Sequence, residues 1–237
     1  FGLQYLYNGA LKGEKGVYVS LDSSIELVKI QGKQFGWDLD TLEKEGKLVF
    51  LRIHLTKMKF DLFEVIQRVK EKINAQRVVF DSLATFAVNV DLFTIPAGYG
   101  GNIASSVSVS ANASEKIGED MQSTPIFGAS DTDRIFYAGN SEKRMIYLII
   151  EQLASLGTTN MIITYGNPNS GQTTMDGVSE YACDGIIDLR NAAIGIKRHR
   201  SLIITKLRDT NHSQYEHNFE ISKDGITVEP AEKVYGD

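Results

Sequence analysis

The sequence predicts an α/β fold, a three-layer sandwich in which a mainly parallel sheet lies between helices and antiparallel strands are added at its C-terminal edge. Over residues 1–91, short apolar runs alternate with segments of helical spacing, which is typical of parallel strands with crossover helices. Later short strands separated by short turns favour antiparallel pairing. With 237 residues, 42% of them apolar, the chain is expected to form one domain over 1–237.

The first part of the chain supplies the alternating pattern. Its helices are indicated by apolar side chains at three- and four-residue spacing, and its strands by runs of β-branched and aromatic residues. The expected elements are a helix from Phe1 that Gly9 and Gly13 end, strands over 16–21, 47–53 and 77–81, and helices over 23–35 and 60–73.

The middle of the chain departs from this pattern. Residues 92–114 are 23 consecutive uncharged residues dense in Gly, Ser, Ala and Asn, so we interpret about 92–140 as an insertion or long flexible loop. The parallel pattern then resumes with a helix over 141–156 and a strand over 160–165. Three more strands over 185–189, 201–206 and 217–221 are expected to be antiparallel.

Composition excludes several classes of function. The chain has 25 basic and 30 acidic residues, a formal charge of −5, so no whole-chain cationic field attracts nucleic acid or anionic lipid, although a local basic patch stays open. The lone cysteine, Cys183, forms no intrachain disulfide and supplies no Cys-rich zinc site. Neither an apolar run long enough to span a membrane nor a signal peptide is visible, so we expect a cytoplasmic protein.

Two strands end in an acid followed by a hydroxyl residue, which is a pattern that can bind a metal ion near phosphate. Asp81 and Ser82 follow the strand at 77–81, and Asp22 and Ser23 follow the strand at 16–21. Because ligands of open α/β sheets bind outside the carboxyl ends of the strands, both acids are expected to face one crevice. The alternative is that these residues cap the helices that follow, and the sequence leaves both readings open.

Lys206 and Arg208 form a third candidate, at the end of a late strand. Strand alternation places both side chains on one face, a geometry suited to gripping phosphate oxygens, and His212 lies beyond them in a turn. The alternative is a solvated basic strand end. Four scattered histidines without a Cys cluster do not favour a histidine metal site.

Taken in order, these segments resemble the KaiC-like branch of the RecA-fold ATPases. The similar segments are Phe1-Gly-Leu-Gln-Tyr-Leu-Tyr-Asn-Gly9, Gly13-Glu-Lys-Gly-Val-Tyr-Val-Ser-Leu21, Phe35-Gly-Trp-Asp-Leu39, Arg77-Val-Val-Phe-Asp-Ser-Leu83, Ala182-Cys-Asp-Gly-Ile-Ile-Asp-Leu189 and Lys206-Leu-Arg-Asp-Thr-Asn-His212. They run in the family's order across residues 1–91 and 141–229. The resemblance implies a RecA-like sandwich that uses ATP and Mg²⁺.

The resemblance also implies roles. Asp81 would hold Mg²⁺ through water in the position of the Walker B acid, with Ser82 beside the nucleotide. Lys206, Arg208 and His212 would reach the γ-phosphate of ATP on a neighbouring subunit, because the family binds ATP between the protomers of a ring. The expected partner is therefore a second copy of the chain in a homo-oligomer, a hexameric ring, together with an unidentified protein partner.

The sequence departs from the family pattern at two places. The Walker A loop, Gly-x-x-x-x-Gly-Lys-Ser/Thr, is absent, and its place lies just before Phe1, so the domain is expected to be N-terminally incomplete as written. Asp22 and Ser23 stand where the resemblance places the family's water-activating glutamates, and because Asp is one methylene shorter we expect slow hydrolysis or ATP binding without turnover. The alternatives are a nucleotide-gated regulatory or scaffold protein without turnover and a DNA-binding recombinase paralogue, although the net charge does not support DNA binding.

Overall fold

Five strands form a central sheet whose neighbours are parallel except at one edge. The computed structural model describes residues 1–55, 62–89, 107–109, 141–166 and 173–230. The sheet order is β4-β2-β1-β3-β5, and only β4 runs antiparallel to its neighbour. The strands are β1 (Gly16–Ser20), β2 (Leu48–Ile53), β3 (Arg77–Asp81), β4 (Val107–Val109) and β5 (Thr159–Ile163).

Helices cover both faces of this sheet, so the predicted three-layer α/β fold is confirmed. Strand alternation sends Tyr18 to one face and Val17 and Val19 to the other. The first face packs against α1 (Gly2–Leu11), α2 (Ile25–Gln34) and α3 (Leu39–Lys44), and the second against α4 (Leu62–Ile73), α5 (Leu83–Ala87) and α6 (Ser141–Ser155). The two cores fix where the carboxyl ends of the strands lie.

The late strands form an antiparallel sheet of their own. After the short helix α7 (Ser179–Ala182), the chain forms β6 (Gly185–Ile194), β7 (Lys197–Leu207), β8 (His217–Ser222) and β9 (Gly225–Val228), paired in that order. The antiparallel pairing is as predicted. In the described part of the chain, however, no backbone hydrogen bonds join these strands to the edge of the parallel sheet. The short turns determine only that each late strand pairs with its neighbour in sequence, and they do not determine whether any of these strands pairs with β5.

The antiparallel sheet contacts the central one through its last hairpin. The Gln4 side chain donates to the Ile226 carbonyl (2.9 Å) and accepts from the Ile226 N–H (2.7 Å), so an α1 residue pairs with β9. The Phe1 ring meets the Phe219 ring edge to face at 5.9 Å. Gly225, at φ +114°, lies so close to Trp37 that a side chain there would clash. The β8–β9 hairpin is thereby held on α1.

The predicted helices and strands are confirmed, with ends shifted by a few residues, and five further elements appear: α3, α5, β4, α7 and β9. The predicted insertion at 92–140 lies outside the described residues except for β4, which pairs Val107 to Val109 with Ile53 to Leu51 of β2. Within the described ranges, no helix combines the length and apolarity needed to cross a bilayer.

Candidate functional site

The carboxyl ends of β1 and β3 are neighbours in the sheet. The parallel register pairs Ser20 with Asp81, and the Leu21 N–H donates to the Asp81 carbonyl at 2.7 Å. Asp22, one residue further, therefore leaves the sheet at the edge where β3 ends. The structure brings the two sequence-predicted acids to one edge, where the field of Asp22 acts on Asp81.

Asp81 is held by a buried tyrosine that sequence reasoning missed. Tyr18, only 5% exposed, lies two residues before Ser20 on the same strand face, and its hydroxyl donates a short hydrogen bond to Asp81 Oδ2. Burial raises the pKa of Tyr18 far above its ordinary range, and the carboxylate of Asp81 adds to this. The signal in the sequence is a tyrosine inside a buried strand, because a buried phenol needs a hydrogen-bond partner.

The pKa of Asp81 itself is raised. Burial is the largest cause, the hydrogen bond from Tyr18 opposes the rise, and the negative charge of Asp22 adds to it. The folded protein therefore holds Asp81 in a setting that disfavours an isolated negative charge. A cation beside this carboxylate would relieve both the burial cost and the repulsion from Asp22.

The two helices after these strands have their own capping residues. Ser82, 2% exposed, accepts from the Thr85 N–H at 3.2 Å and caps α5. Ser24 accepts from the Leu27 N–H at 3.3 Å and caps α2. Capping thus accounts for Ser82, whereas Asp81 is not needed for it.

Asp22 and Ser23 are likewise not the cap of α2. Asp22 Oδ2 instead accepts from the Thr85 hydroxyl at 3.3 Å, and the Thr85 hydroxyl lies 3.0 Å from that of Ser82. The backbone of Ser23 closes a turn with the buried Ser20 hydroxyl through contacts of 2.7 and 3.1 Å. Thr85 is a second residue that the sequence did not reveal, and it links the ends of β1 and β3.

The N-terminus of α1 lies on the same side of the sheet. A side chain at Gly2 would lie 2.8 Å from Val79 and 3.0 Å from Ile163, so α1 begins over the middle of β3 and the end of β5. Its first intrahelical bond runs from the Tyr5 N–H to the Phe1 carbonyl (2.8 Å), and Phe1 provides no side-chain cap. Helix N-termini of this kind attract anions through their unpaired N–H groups and the helix dipole.

Lys206 is bound to its own chain. Its ammonium donates to the carbonyls of Glu180 (2.9 Å), Tyr181 (3.3 Å) and Cys183 (2.6 Å), at the C-terminal end of α7. These three bonds match the three donors of an ammonium group. In this arrangement Lys206 stabilises the end of α7.

Arg208 is more open. It donates to Asp184 Oδ1 (3.0 Å) and to the Tyr181 carbonyl (2.8 Å), and its side chain is 51% exposed. These bonds use two of its five N–H donors. His212 lies beyond β7, where its Nδ1 is 3.1 Å from the Ser213 carbonyl.

The predicted residues therefore form two separate groups. Asp22, Ser23, Asp81 and Ser82 lie at the carboxyl edge of the parallel sheet. Lys206 and Arg208 lie on the antiparallel sheet against α7, and His212 lies in the turn after it. In the parts of the chain that the structure describes, no hydrogen bond or ion pair joins the two groups.

A cation at the end of β2 also escaped the sequence reasoning. Arg52 pairs with Ser20 in the register row that contains Asp81. Its Nε is buried and has no hydrogen-bond partner among the described residues. Strand alternation predicts only the face to which Arg52 points. Its place in the row of Ser20 and Asp81 depends on the register between the strands.

This arrangement is typical of α/β proteins that bind a phosphate-bearing ligand at the carboxyl edge of a parallel sheet. The family model "ATPase: KaiC" matches residues 1–92 and 138–233. The chain therefore belongs to the KaiC family of ATPases and has the RecA-like fold that the sequence predicted.

Individual relatives agree with this assignment. The circadian clock oscillator protein KaiC of Synechococcus elongatus is 27% identical over 240 residues, which are 97% of this chain and 37% of that protein. A UPF0273 protein of Thermotoga maritima is 28% identical over 248 residues, with 98% and 82% covered. The crystal structure of a KaiC-like protein from Pyrococcus horikoshii OT3 matches with a TM-score of 0.67 and 25% identity, covering 97% of this chain and 82% of that one. The chain thus spans just over a third of the clock protein.

Proposed function

We propose that this protein binds ATP with Mg²⁺ at the carboxyl edge of β1 and β3, in the cytoplasm, and hydrolyses it slowly. The observation that carries the proposal is Asp81, a half-buried acid at the end of β3, held by Tyr18 and lying near the N-terminus of α1. The acid suits a cation and the helix N-terminus suits phosphate. Family membership supports the choice of ATP.

The residues present fit Mg²⁺ that arrives with a nucleotide. No cluster of three metal-ligating side chains exists among the described residues, which does not favour an all-protein cage. Mg²⁺ bound with a nucleotide instead uses one or two carboxylates, phosphate oxygens and waters. When bound, it would neutralise charge on the phosphates. Asp81 would hold the ion through water, Ser82 would keep the end of β3 in place, and Tyr18 would fix the carboxylate.

The two residues at the position that would activate the attacking water are poorly suited to that role in this chain. Asp22 is shorter than the family's glutamate, and its Oδ2 already accepts from Thr85. Ser23 is held in a backbone turn with Ser20. Slow hydrolysis follows, and the same observation supports a second candidate function, a nucleotide-gated regulatory or scaffold protein that binds ATP without turnover.

We also propose that ATP lies between protomers of a hexameric ring. Lys206, Arg208 and His212 make no described bond to the acidic edge of their own chain, which suits action on the nucleotide of a neighbour. Arg208 is the better candidate for a γ-phosphate contact because it is half exposed and keeps unused donors. Lys206 would have to leave three carbonyls of α7 to reach a phosphate.

The nucleotide site is tested by Asp81→Asn, which removes the charge and keeps the shape. We expect phosphate release by the Asp81→Asn variant to fall about 100-fold. We also expect the variant to lose the Mg²⁺-dependent binding of a fluorescent ATP analogue. Asp224→Asn, at the exposed β8–β9 turn, is the matched control. Unchanged Mg²⁺-dependent binding in Asp81→Asn would refute the site, and binding without turnover in the wild type would select the scaffold function.

The shared interface is tested by mixing two inactive proteins. Asp81→Ala and Arg208→Ala are each expected to be inactive, but in a mixed ring some interfaces combine an intact Asp81 with a neighbour's intact Arg208. Random mixing in equal amounts makes about one interface in four of this kind, so about a quarter of the wild-type activity should return. Activity equal to the average of the separate variants would contradict action between subunits.

A further inference from the structure

The hairpin between β6 and β7 projects from the antiparallel sheet as two strands. β6 and β7 pair out to Ile194 and Lys197, but β8 pairs with β7 only at Ser201 and Leu202. Beyond that point four residues of each strand extend without a third strand among the described residues, a length of about 13 Å. Every side chain described between positions 190 and 200 is exposed. We call residues 190–200 the basic ribbon.

Positive charge is concentrated here in a chain that is negative overall. Residues 189–208 contain six Lys or Arg and no Asp or Glu, whereas the whole chain has 25 basic and 30 acidic residues. Within the basic ribbon, Arg190 pairs with Asp188 at 2.8 Å. Lys197, Arg198 and Arg200 have no ion pair with any described residue, so their charge stays available to a partner.

The cations occupy both faces of the basic ribbon. Arg198 lies opposite Ala193 and Arg200 opposite Asn191, so short neighbours leave both guanidinium groups uncovered on one face. They are two residues apart on the strand, about 7 Å. Lys197 and His199 alternate to the other face. A ribbon that enters a DNA groove has phosphates on both sides of it, and a two-stranded β-ribbon fits the major groove of B-DNA.

The tip of the basic ribbon is apolar. Gly195 has φ +62°, a left-handed conformation that permits a two-residue turn, and the next residue, Ile196, is fully exposed. An isoleucine at the end of a charged hairpin has no core to join. In the major groove of DNA the methyl group of thymine offers an apolar contact to such a side chain, whereas an acidic protein segment would offer Ile196 nothing apolar.

We propose that the basic ribbon is a binding site for double-stranded DNA, with Lys197, Arg198 and Arg200 on phosphates and Ile196 leading into the groove. B-form DNA is the ligand class because the major groove of A-form RNA is too narrow for side chains to read. This site is separate from the nucleotide site and does not depend on ATP binding.

The test measures DNA affinity as a function of salt, without nucleotide. The full-length protein is titrated into a fluorescent duplex of about 30 base pairs, and anisotropy gives Kd at about 50 and 200 mM salt. Three phosphate contacts predict a log–log slope of about −2.7, a weakening of about 40-fold over this range. For Arg198→Gln with Arg200→Gln, one contact remains, so the slope should fall to about −0.9 and the weakening to about fourfold.

A control and a third variant separate this site from general charge effects. Lys12→Gln with Lys223→Gln removes two exposed cations elsewhere and should leave the slope unchanged. Ile196→Ala should weaken binding about tenfold at every salt concentration without altering the slope. Circular dichroism checks the fold of each variant. If the double variant unfolds, the single Arg200→Gln variant replaces it.

Three outcomes would overturn the proposal. They are no binding to duplex DNA at the lower salt concentration, the same slope in the ribbon variant and the wild type, and equal losses in the ribbon and control variants. A ribbon variant that loses self-association while its DNA affinity stays unchanged would also overturn it, because the hairpin would then be a contact between copies. Loss of ATP binding in Asp81→Asn leaves all these readouts in place, so the two proposals fail separately.

Discussion

The Tyr18–Asp81 hydrogen bond gives a prediction whose size depends on pH. Tyr18→Phe removes only the hydroxyl, which donates to Asp81 Oδ2 across the ends of two strands. The ring stays packed against Phe50 at 6.1 Å between centroids. The substitution therefore leaves the apolar packing in place and takes away one hydrogen bond to a half-buried acid.

The loss should be larger at neutral pH than in acid. A hydrogen bond to a charged acceptor contributes about 2 kcal/mol to stability and one between neutral groups about 1 kcal/mol. The pKa of Asp81 is raised above 3.8 in the folded protein, so the stability that it contributes is fully present below its unfolded pKa and is lost as pH rises through the folded pKa. Removing Tyr18's opposing effect raises this pKa further, so the variant loses about 2 kcal/mol near pH 7 and about 1 kcal/mol near pH 3, below the unfolded pKa of Asp81.

Urea unfolding at the two pH values measures this difference. Trp37, the single tryptophan, is 6% exposed and stacks on Tyr7 at 5.0 Å, so its fluorescence reports global unfolding. Tyr181→Phe removes a hydroxyl from a side chain that is 72% exposed and should change stability by less than about 0.5 kcal/mol. Equal losses for Tyr18→Phe at both pH values, or a loss no larger than the control's, would refute the reasoning.

Two further substitutions test packing and the anchoring of α7. Gly32→Ala places a Cβ against Leu39 in the buried α2–α3 contact, so it should destabilise by about 1–2 kcal/mol in urea unfolding. Stabilisation, as the higher helix propensity of Ala alone would give, would contradict this close contact. Lys206→Met removes three bonds to the end of α7 and should speed amide exchange there about tenfold. The exposed Lys223→Met serves as control, and equal exchange in both variants would contradict the anchoring role.

The elements that the sequence predicted are those that carry their own pattern. α4 shows its apolar face over three turns, and β1 is a continuous apolar run, so both can be located from local residues. α3 and α5 have six and five residues, too few for helical spacing to show. Their starts carry a signal nonetheless: Asp38 accepts from the Thr41 N–H at 3.0 Å and caps α3.

The sequence did not predict how the two sheets are arranged or which side chains the site residues contact. The adjacency of Asp22 and Asp81 follows from a rule about parallel strands and needs no side-chain detail. Their partners Tyr18 and Thr85 were missed because each contact spans 63 positions and depends on rotamers that only the packed core selects. Lys206 was likewise expected at a phosphate, and no local pattern shows that the carbonyls of α7 would lie within its reach.

The net charge of the sequence also gave an incomplete prediction, because it does not show how the charges are distributed over the folded surface. The formal charge of −5 argued against DNA binding, but a binding partner interacts with the charges near its contact surface and not with the net charge of the chain. At about 0.1 M salt, exposed charges are screened over about 10 Å, so the projecting part of the basic ribbon, about 13 Å long, presents its own field. The acids at the edge of β1 and β3 are fixed by a different sheet. Because the fold places the acids and the cations on different sheets, the proposed cation site and the proposed DNA-binding ribbon are compatible in one chain.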